Sequence, residues 1–128
     1  MLQQLEQLHA ACFPHKPWSA SDFSDLKKSG CDIIASENGF IVYRVVADEA
    51  EIITIGVAPR ARRGGIAAAM LAIAEQDAKK RGATKMFLEV ARDNTAAREL
   101  YRTAGYAEAG IRPQYYDGID AILMTRQL

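Results

Sequence analysis

The chain has 128 residues, 49% of them hydrophobic, enough for one compact domain with a buried core. Its 16 basic and 16 acidic residues cancel to a formal net charge of zero, which argues against the broad positive field that non-specific nucleic-acid binding needs. No apolar run reaches the ~18 residues of a membrane span, and Met1-Leu2-Gln3-Gln4-Leu5-Glu6 lacks the segments of a secretory signal, so a cytoplasmic protein is expected.

In chain order, Leu2, Leu5, Leu8 and Cys12 recur at spacings of three or four and predict an amphipathic helix, ended by Pro14 and Pro17. Ser19 reads as an N-cap with Asp22 in the capping-box position, and Phe23 and Leu26 mark the buried face of a second short helix. Residues 32–35 read as a strand, and Asn38-Gly39 as a two-residue hairpin turn into a strand over 40–46. A polar turn at Asp48-Glu49 leads to a third strand over 51–57, completing an antiparallel meander. After a loop over 59–65 comes a helix with Ile66, Met70, Ile73 and Ala74 facing inward, Lys79, Lys80 and Arg81 at its end and Gly82 as the residue just past it.

Residues 84–90 form a near-continuous apolar run, expected of a strand covered on both faces. Asn94 then caps a helix whose inner stripe is Ala97, Leu100, Tyr101 and Ala104, closed by Gly105; residues 106–109 and 120–126 supply the last two strands. The order α-α-β-β-β-α-β-α-β-β describes a mixed α/β single domain over residues 1–128. Cys12 and Cys31 have neither CxxC spacing nor a local histidine partner, and His9 and His15 stand alone, so free thiols and no metal site are expected.

The most informative segment runs from Val57 to Ala67: a strand ends, Arg60, Arg62 and Arg63 follow, and Gly64 and Gly65 open a helix. A helix start offers unpaired N–H groups and a positive dipole end, and glycines let an anion approach the backbone. The Lys-Ser/Thr pair of a nucleotide-triphosphate loop is absent, as is the three-glycine dinucleotide spacing. Glu89 is the one charged residue in the inner part of its strand, where a carboxylate could serve as a base. Tyr101 lies on the inward stripe of its helix, as a core residue or as one whose hydroxyl is used.

Arg62-Arg63-Gly64-Gly65-Ile66-Ala67 resembles the R/Q-x-x-G-x-G/A signature of the GNAT acetyltransferases. The stretch from Leu88 to Tyr106, with Asn94 at a helix start and Ala97-Arg98-Glu99-Leu100-Tyr101 leading to Gly105-Tyr106, resembles that family's second motif. Phe13-Pro14, Pro17-Trp18-Ser19, Leu88-Glu89-Val90, Ile111-Arg112 and Tyr115-Tyr116 are similar to the bacterial ribosomal-protein-alanine N-acetyltransferases within it. The resemblance implies the GNAT acyl-CoA N-acyltransferase fold, a mixed and mostly antiparallel sheet flanked by helices. Because the chain starts at the family's first helix, it implies that sheet without the family's first strand.

It further implies acetyl-CoA as co-substrate and no metal. Arg62, Arg63, Gly64, Gly65, Ile66 and Ala67 would hold the pyrophosphate, with Ile55 and Val57 lying along the pantetheine. The Val57 N–H is the candidate for polarising the acetyl carbonyl. Asn94 would cap its helix and touch the pantetheine arm; Glu89 would be the general base and Tyr101 the donor of a proton to the CoA sulfur. With no Ser-His-Asp or Cys-His set, direct attack in a ternary complex is expected. Trp18, Arg112, Tyr115 and Tyr116, the last three in the connection between the final strands, are the candidate acceptor wall. The acceptor is expected to be a protein N-terminus, such as the alanine of a small-subunit ribosomal protein. A small amine is the alternative acceptor, and a CoA-binding sensor without turnover the alternative class, which retention of Glu89 and Tyr101 argues against.

Overall fold

The computed structural model describes residues 2–14, 16–116 and 118–128, with Tyr116 described by its backbone alone; His15 lies outside the described residues. Helices α1 (Leu2–Cys12) and α2 (Ala20–Lys28) precede strands β1 (Asp32–Ala35), β2 (Gly39–Val46) and β3 (Glu49–Val57). A 3-10 turn over Pro59–Ala61 leads into α3 (Ile66–Lys80), then β4 (Lys85–Ala91), α4 (Thr95–Thr103), β5 (Ala107–Tyr116) and β6 (Ile119–Gln127). The strands form one six-stranded sheet in the order β1-β2-β3-β4-β6-β5. It is mixed and mostly antiparallel, as expected: β1/β2, β4/β6 and β5/β6 run antiparallel, while β3 and β4 are parallel. A parallel pair needs a long crossover, and α3 supplies it. β4 pairs with β6 along all seven of its residues, and with β3 through Glu49, Ala50 and Glu51. The chain packs as two units, residues 1–44 with 53–76, and residues 45–52 with 77–128.

The first unit is organised around aromatic rings. Leu5, Phe23, Cys31, Phe40 and Val42 form its buried cluster, with Trp18, Phe13 and Leu26 packed on it. Phe23 and Phe40 are fully buried, and each such ring stabilises the fold by about 1.5–3 kcal/mol. His9 lies on the same α1 stripe and is 2% exposed. Its ring stacks on Trp18 at 4.6 Å and its Nδ1 accepts from the Trp18 backbone N–H at 3.0 Å, so it is a satisfied core histidine. The expected capping box opens α2: Ser19 Oγ accepts from Asp22 N–H and Asp22 Oδ2 accepts from Ser19 N–H.

Two expectations for this unit need correction. Gly39 is the first residue of β2, and the tight turn is centred on Glu37-Asn38, closed by Ser36 N–H donating to the Gly39 carbonyl at 2.8 Å. Gly39 is needed for space: a Cβ there would stand 2.8 Å from Met70 Cε and 3.1 Å from the Gly56 carbonyl oxygen. On α3, Met70 and Ala74 are buried as expected, but Ile73 is 51% exposed. Leu71, Glu75 and Ala78 are the further buried positions, and they draw the stripe to the opposite flank of Met70 from Ile73.

In the second unit, α3 ends as expected, with Gly82 at φ 100° and Ala83 N–H donating to the Ala78 carbonyl at 2.9 Å. β4 is covered on one face only. Met86, Leu88 and Val90 are buried, whereas Phe87 and Glu89 are half-buried, because the face they share opens on a cleft. β5 runs ten residues, through the stretch expected to be a connection, so Arg112, Tyr115 and Tyr116 belong to a strand. It is the edge of the sheet, which is why Pro113 is tolerated within it. Its register against β6 shifts between Glu108 and Gly110 and again between Arg112 and Tyr116. At the second shift Gln114 adopts φ 53° and its N–H donates to Asp120 Oδ1 at 3.0 Å.

Candidate active site

In the first unit, β3 delivers Ile55, half-buried, and Gly56 and Val57, both buried, to the start of the basic loop. Gly56 has no room for a side chain, since a Cβ would meet the Phe40 ring at 2.8 Å and Cys12 Sγ at 3.0 Å. Arg62 folds back, and its Nε donates to the Val57 carbonyl at 3.1 Å. The Cys12 thiol donates to the same oxygen at 3.3 Å. Burial pushes the Cys12 thiol above the usual range, opposed by the Arg62 guanidinium beside it, which keeps it a protonated donor. The end of β3 is thus tied to the loop and to α1 through one carbonyl.

Arg60 is turned to the β1–β2 turn, where its guanidinium donates to Asn38 Oδ1 at 3.3 Å. Arg63 and Gly65 both have left-handed backbone, φ 67° and 82°. A Cβ on Gly65 would meet nothing within 4 Å, so space beside the start of α3 is open to a ligand. Ile66 and Ala67 begin the helix directly after it, in the turn whose N–H groups lack helical partners. Strand end, turned-back arginine and the open Gly65 together fit an anionic group.

In the second unit the Asn94 side chain accepts from Ala97 N–H at 3.2 Å, the expected cap of α4. Tyr101 is 5% exposed on that helix, its ring edge-on to Tyr106 at 5.8 Å. Glu89 lines a cleft of about 390 Å³ with Phe87, Leu123, Ile111 and Arg112, together with the Glu49–Lys85 ion pair. Glu89 Oε1 accepts from the Arg112 guanidinium at 2.8 Å, and that guanidinium lies 4.4 Å from the centre of the Tyr115 ring. The structure therefore brings Glu89, expected as the base, together with Arg112 and Tyr115, expected in the acceptor wall. Of the other candidate acceptor residues, Trp18 is half-buried in the aromatic cluster of the first unit, and the Tyr116 side chain lies outside the described residues. Sequence reasoning missed the Glu89–Arg112 pair, which no spacing signals, and the tie of Cys12 to Val57.

Residues 2–106 match the model of the acetyltransferase (GNAT) family. The chain belongs to the GNAT acetyltransferase family. It is 38% identical over 118 residues to the [ribosomal protein bS18]-alanine N-acetyltransferase of Escherichia coli (strain K12), spanning 85% of this chain and 80% of that relative. The crystal structure of the ribosomal-protein-S18-alanine N-acetyltransferase from Escherichia coli superposes with a TM-score of 0.87 at 31% identity, covering 98% of this chain and 86% of the other. A GNAT family acetyltransferase from Elizabethkingia anophelis, solved with acetyl-CoA bound, shares the fold with a TM-score of 0.78 at 20% identity, over 95% of this chain and 89% of its own.

As a GNAT acetyltransferase, the protein is an acetyl-CoA-dependent N-acetyltransferase with acetyl-CoA as co-substrate. Among the described residues no group of His, Cys, Asp and Glu is placed to hold a metal ion, and no helix is long and apolar enough to cross a membrane.

Proposed function

We propose that this protein acetylates the N-terminal α-amine of a ribosomal protein, alanine being the acceptor residue, in the cytoplasm, with residues 1–128 working as one catalytic domain. The observation that carries the acceptor is the 38% identity, over most of both chains, to an enzyme named for that reaction. The cleft lends support. It pairs two acids, Glu49 and Glu89, with two bases, Lys85 and Arg112, and adds the exposed Ile111. A balanced lining with apolar surface suits an extended peptide end better than a small polycation, which needs an acidic pocket. Arg112 and Tyr115 form the acceptor wall in this reading.

Arg62, Arg63, Gly64, Gly65, Ile66 and Ala67 hold the pyrophosphate, and the β3 backbone at Ile55 and Val57, with Asn94, steadies the pantetheine. The Val57 N–H donates to the acetyl oxygen. An α-amino group has a pKa near 8, so a share is neutral at cellular pH. Its nitrogen bonds to the acetyl carbon as the carbon–sulfur bond breaks, directly within the ternary complex. Glu89 takes the proton the amine loses, and Tyr101 gives its hydroxyl proton to the departing thiolate. The products are the acetylated amine and CoA thiol.

The test is thiol release from acetyl-CoA against hexapeptides with varied first residues and a set of small amines. An Ala-starting peptide should be turned over best. Tyr101→Phe, which keeps the ring, should lower kcat by about 100-fold while acetyl-CoA still binds. Turnover confined to small amines would overturn the acceptor, and full activity in Tyr101→Phe would overturn its role.

A further inference from the structure

Arg112 stands opposite Ala121 and Glu89 opposite Leu123, so their ion pair is made across the whole width of β6. In a regular strand, residues 112 and 115 point to opposite faces of the sheet. The register shift after Arg112, with Gln114 in left-handed backbone, removes that alternation and sets the Tyr115 ring 4.4 Å from the guanidinium. Asp120 fastens the irregular stretch, its Oδ1 accepting from Gln114 N–H at 3.0 Å and its Oδ2 from the Arg92 guanidinium at 3.2 Å. The Arg112 side chain is 56% exposed, whereas that of Glu89 is 19% exposed. An arginine this exposed gains little from an ordinary ion pair and loses rotamer freedom by holding it. Here a carboxylate at one side and an aromatic face at the other hold it in one pose.

The geometry points to Arg112 as a positioning residue for acetyl transfer, orienting the Glu89 carboxylate from across β6 and steadied in turn by Tyr115. This rests on the proposed function, in which Glu89 accepts the amine's proton, and gives Arg112 a task besides facing the acceptor. Proton transfer depends on the direction in which the carboxylate is presented, and a charge-assisted bond to Oε1 narrows the orientations Glu89 can adopt.

The experiment compares Arg112→Gln, Arg112→Lys, Glu89→Gln and the Arg112→Gln/Glu89→Gln double variant with the wild-type protein, using the peptide and amine panel. Acceptor KM, kcat, acetyl-CoA affinity and thermal midpoint are recorded for each. Arg112→Gln should lower kcat by about 10- to 100-fold in addition to any rise in acceptor KM, with acetyl-CoA affinity and midpoint held. Arg112→Lys keeps the charge without the planar fork and should recover part of the loss. In the Glu89→Gln background, Arg112→Gln should cost nothing more, because both changes remove one unit. A rise in KM at constant kcat, or additive losses, would mean that Arg112 acts on the acceptor alone and would overturn the inference. So would an unchanged kcat, or a loss that follows a lowered midpoint and is not recovered by lysine. These outcomes presuppose an active wild type; wild-type inactivity across the panel would strike down the proposed function and this inference with it.

Discussion

The loop between Val57 and Ile66 takes its shape from neighbours in sequence, whereas the cleft holding Glu89 takes its shape from residues that only the sheet brings together. In the loop, a strand end, a turned-back Arg62 and a left-handed Gly65 lie within a few residues of one another. In the cleft, β4 supplies Glu89, β5 supplies Arg112 and Tyr115, and the register of β6 decides whether they meet. A backbone-built site is sensitive to any added atom. A register-built site is sensitive to whatever sets the register.

Substitutions at single positions can break or sharpen that contrast. The largest effect is expected at Gly39, where alanine would force its Cβ against Met70 and the Gly56 carbonyl. The loss should be about 1–3 kcal/mol in urea unfolding, as for other overpacked sites. A wild-type midpoint would show that the Met70 side chain gives way and that the packing does not need the glycine. Next comes Gly65→Ala, with open space around the Cβ but a left-handed backbone. About 1–2 kcal/mol of stability should go, with acetyl-CoA affinity, measured by calorimetry, falling further than stability alone explains. Unchanged affinity would remove Gly65 from the binding surface.

In the second unit, Asp120→Ala deletes the carboxylate that fastens the β5 irregularity and also meets Arg92. About 1 kcal/mol should be lost, together with a several-fold fall in kcat as Tyr115 leaves Arg112. Stability loss with kcat intact would separate the irregularity from the chemistry.

The smallest effect concerns His9. Burial lowers its pKa below the usual value near 6.5, opposed by the Asp22 carboxylate. In the window between the lowered folded value and the unfolded one, the unfolded chain binds the extra proton. Stability should therefore rise with pH through that window and fall on acidification below about 6.5. Urea midpoints at a series of pH values should show this slope, reduced in His9→Gln; an equal slope in that variant would assign it to other groups.

Legibility in the sequence follows the same division. The α2 capping box, the Asn94 cap, the left-handed Gly82 and the basic glycine loop are local devices, and each stands where its residues indicated. Asn38-Gly39 misled because glycine serves both turns and close packing, and sequence does not say which. Ile73 misled because Leu71 and Ala78 competed for the buried side of α3. The one-sided covering of β4 and the reach of β5 to Tyr116 depend on partners far along the chain, as does the meeting of Glu89 with Arg112.

The edges of the sheet have a consequence of their own. An unpaired strand edge offers a row of hydrogen-bonding groups on which another unfolded or misfolded chain can grow. β1, at one edge, is only four residues long. β5, at the other, is ten residues long, but it carries a proline without an amide proton and two interruptions of its register. The irregularity that sets Tyr115 beside Arg112 therefore also denies a straight template to intermolecular pairing, so straightening β5 would raise the tendency to form fibrous aggregates along with its cost to the active site.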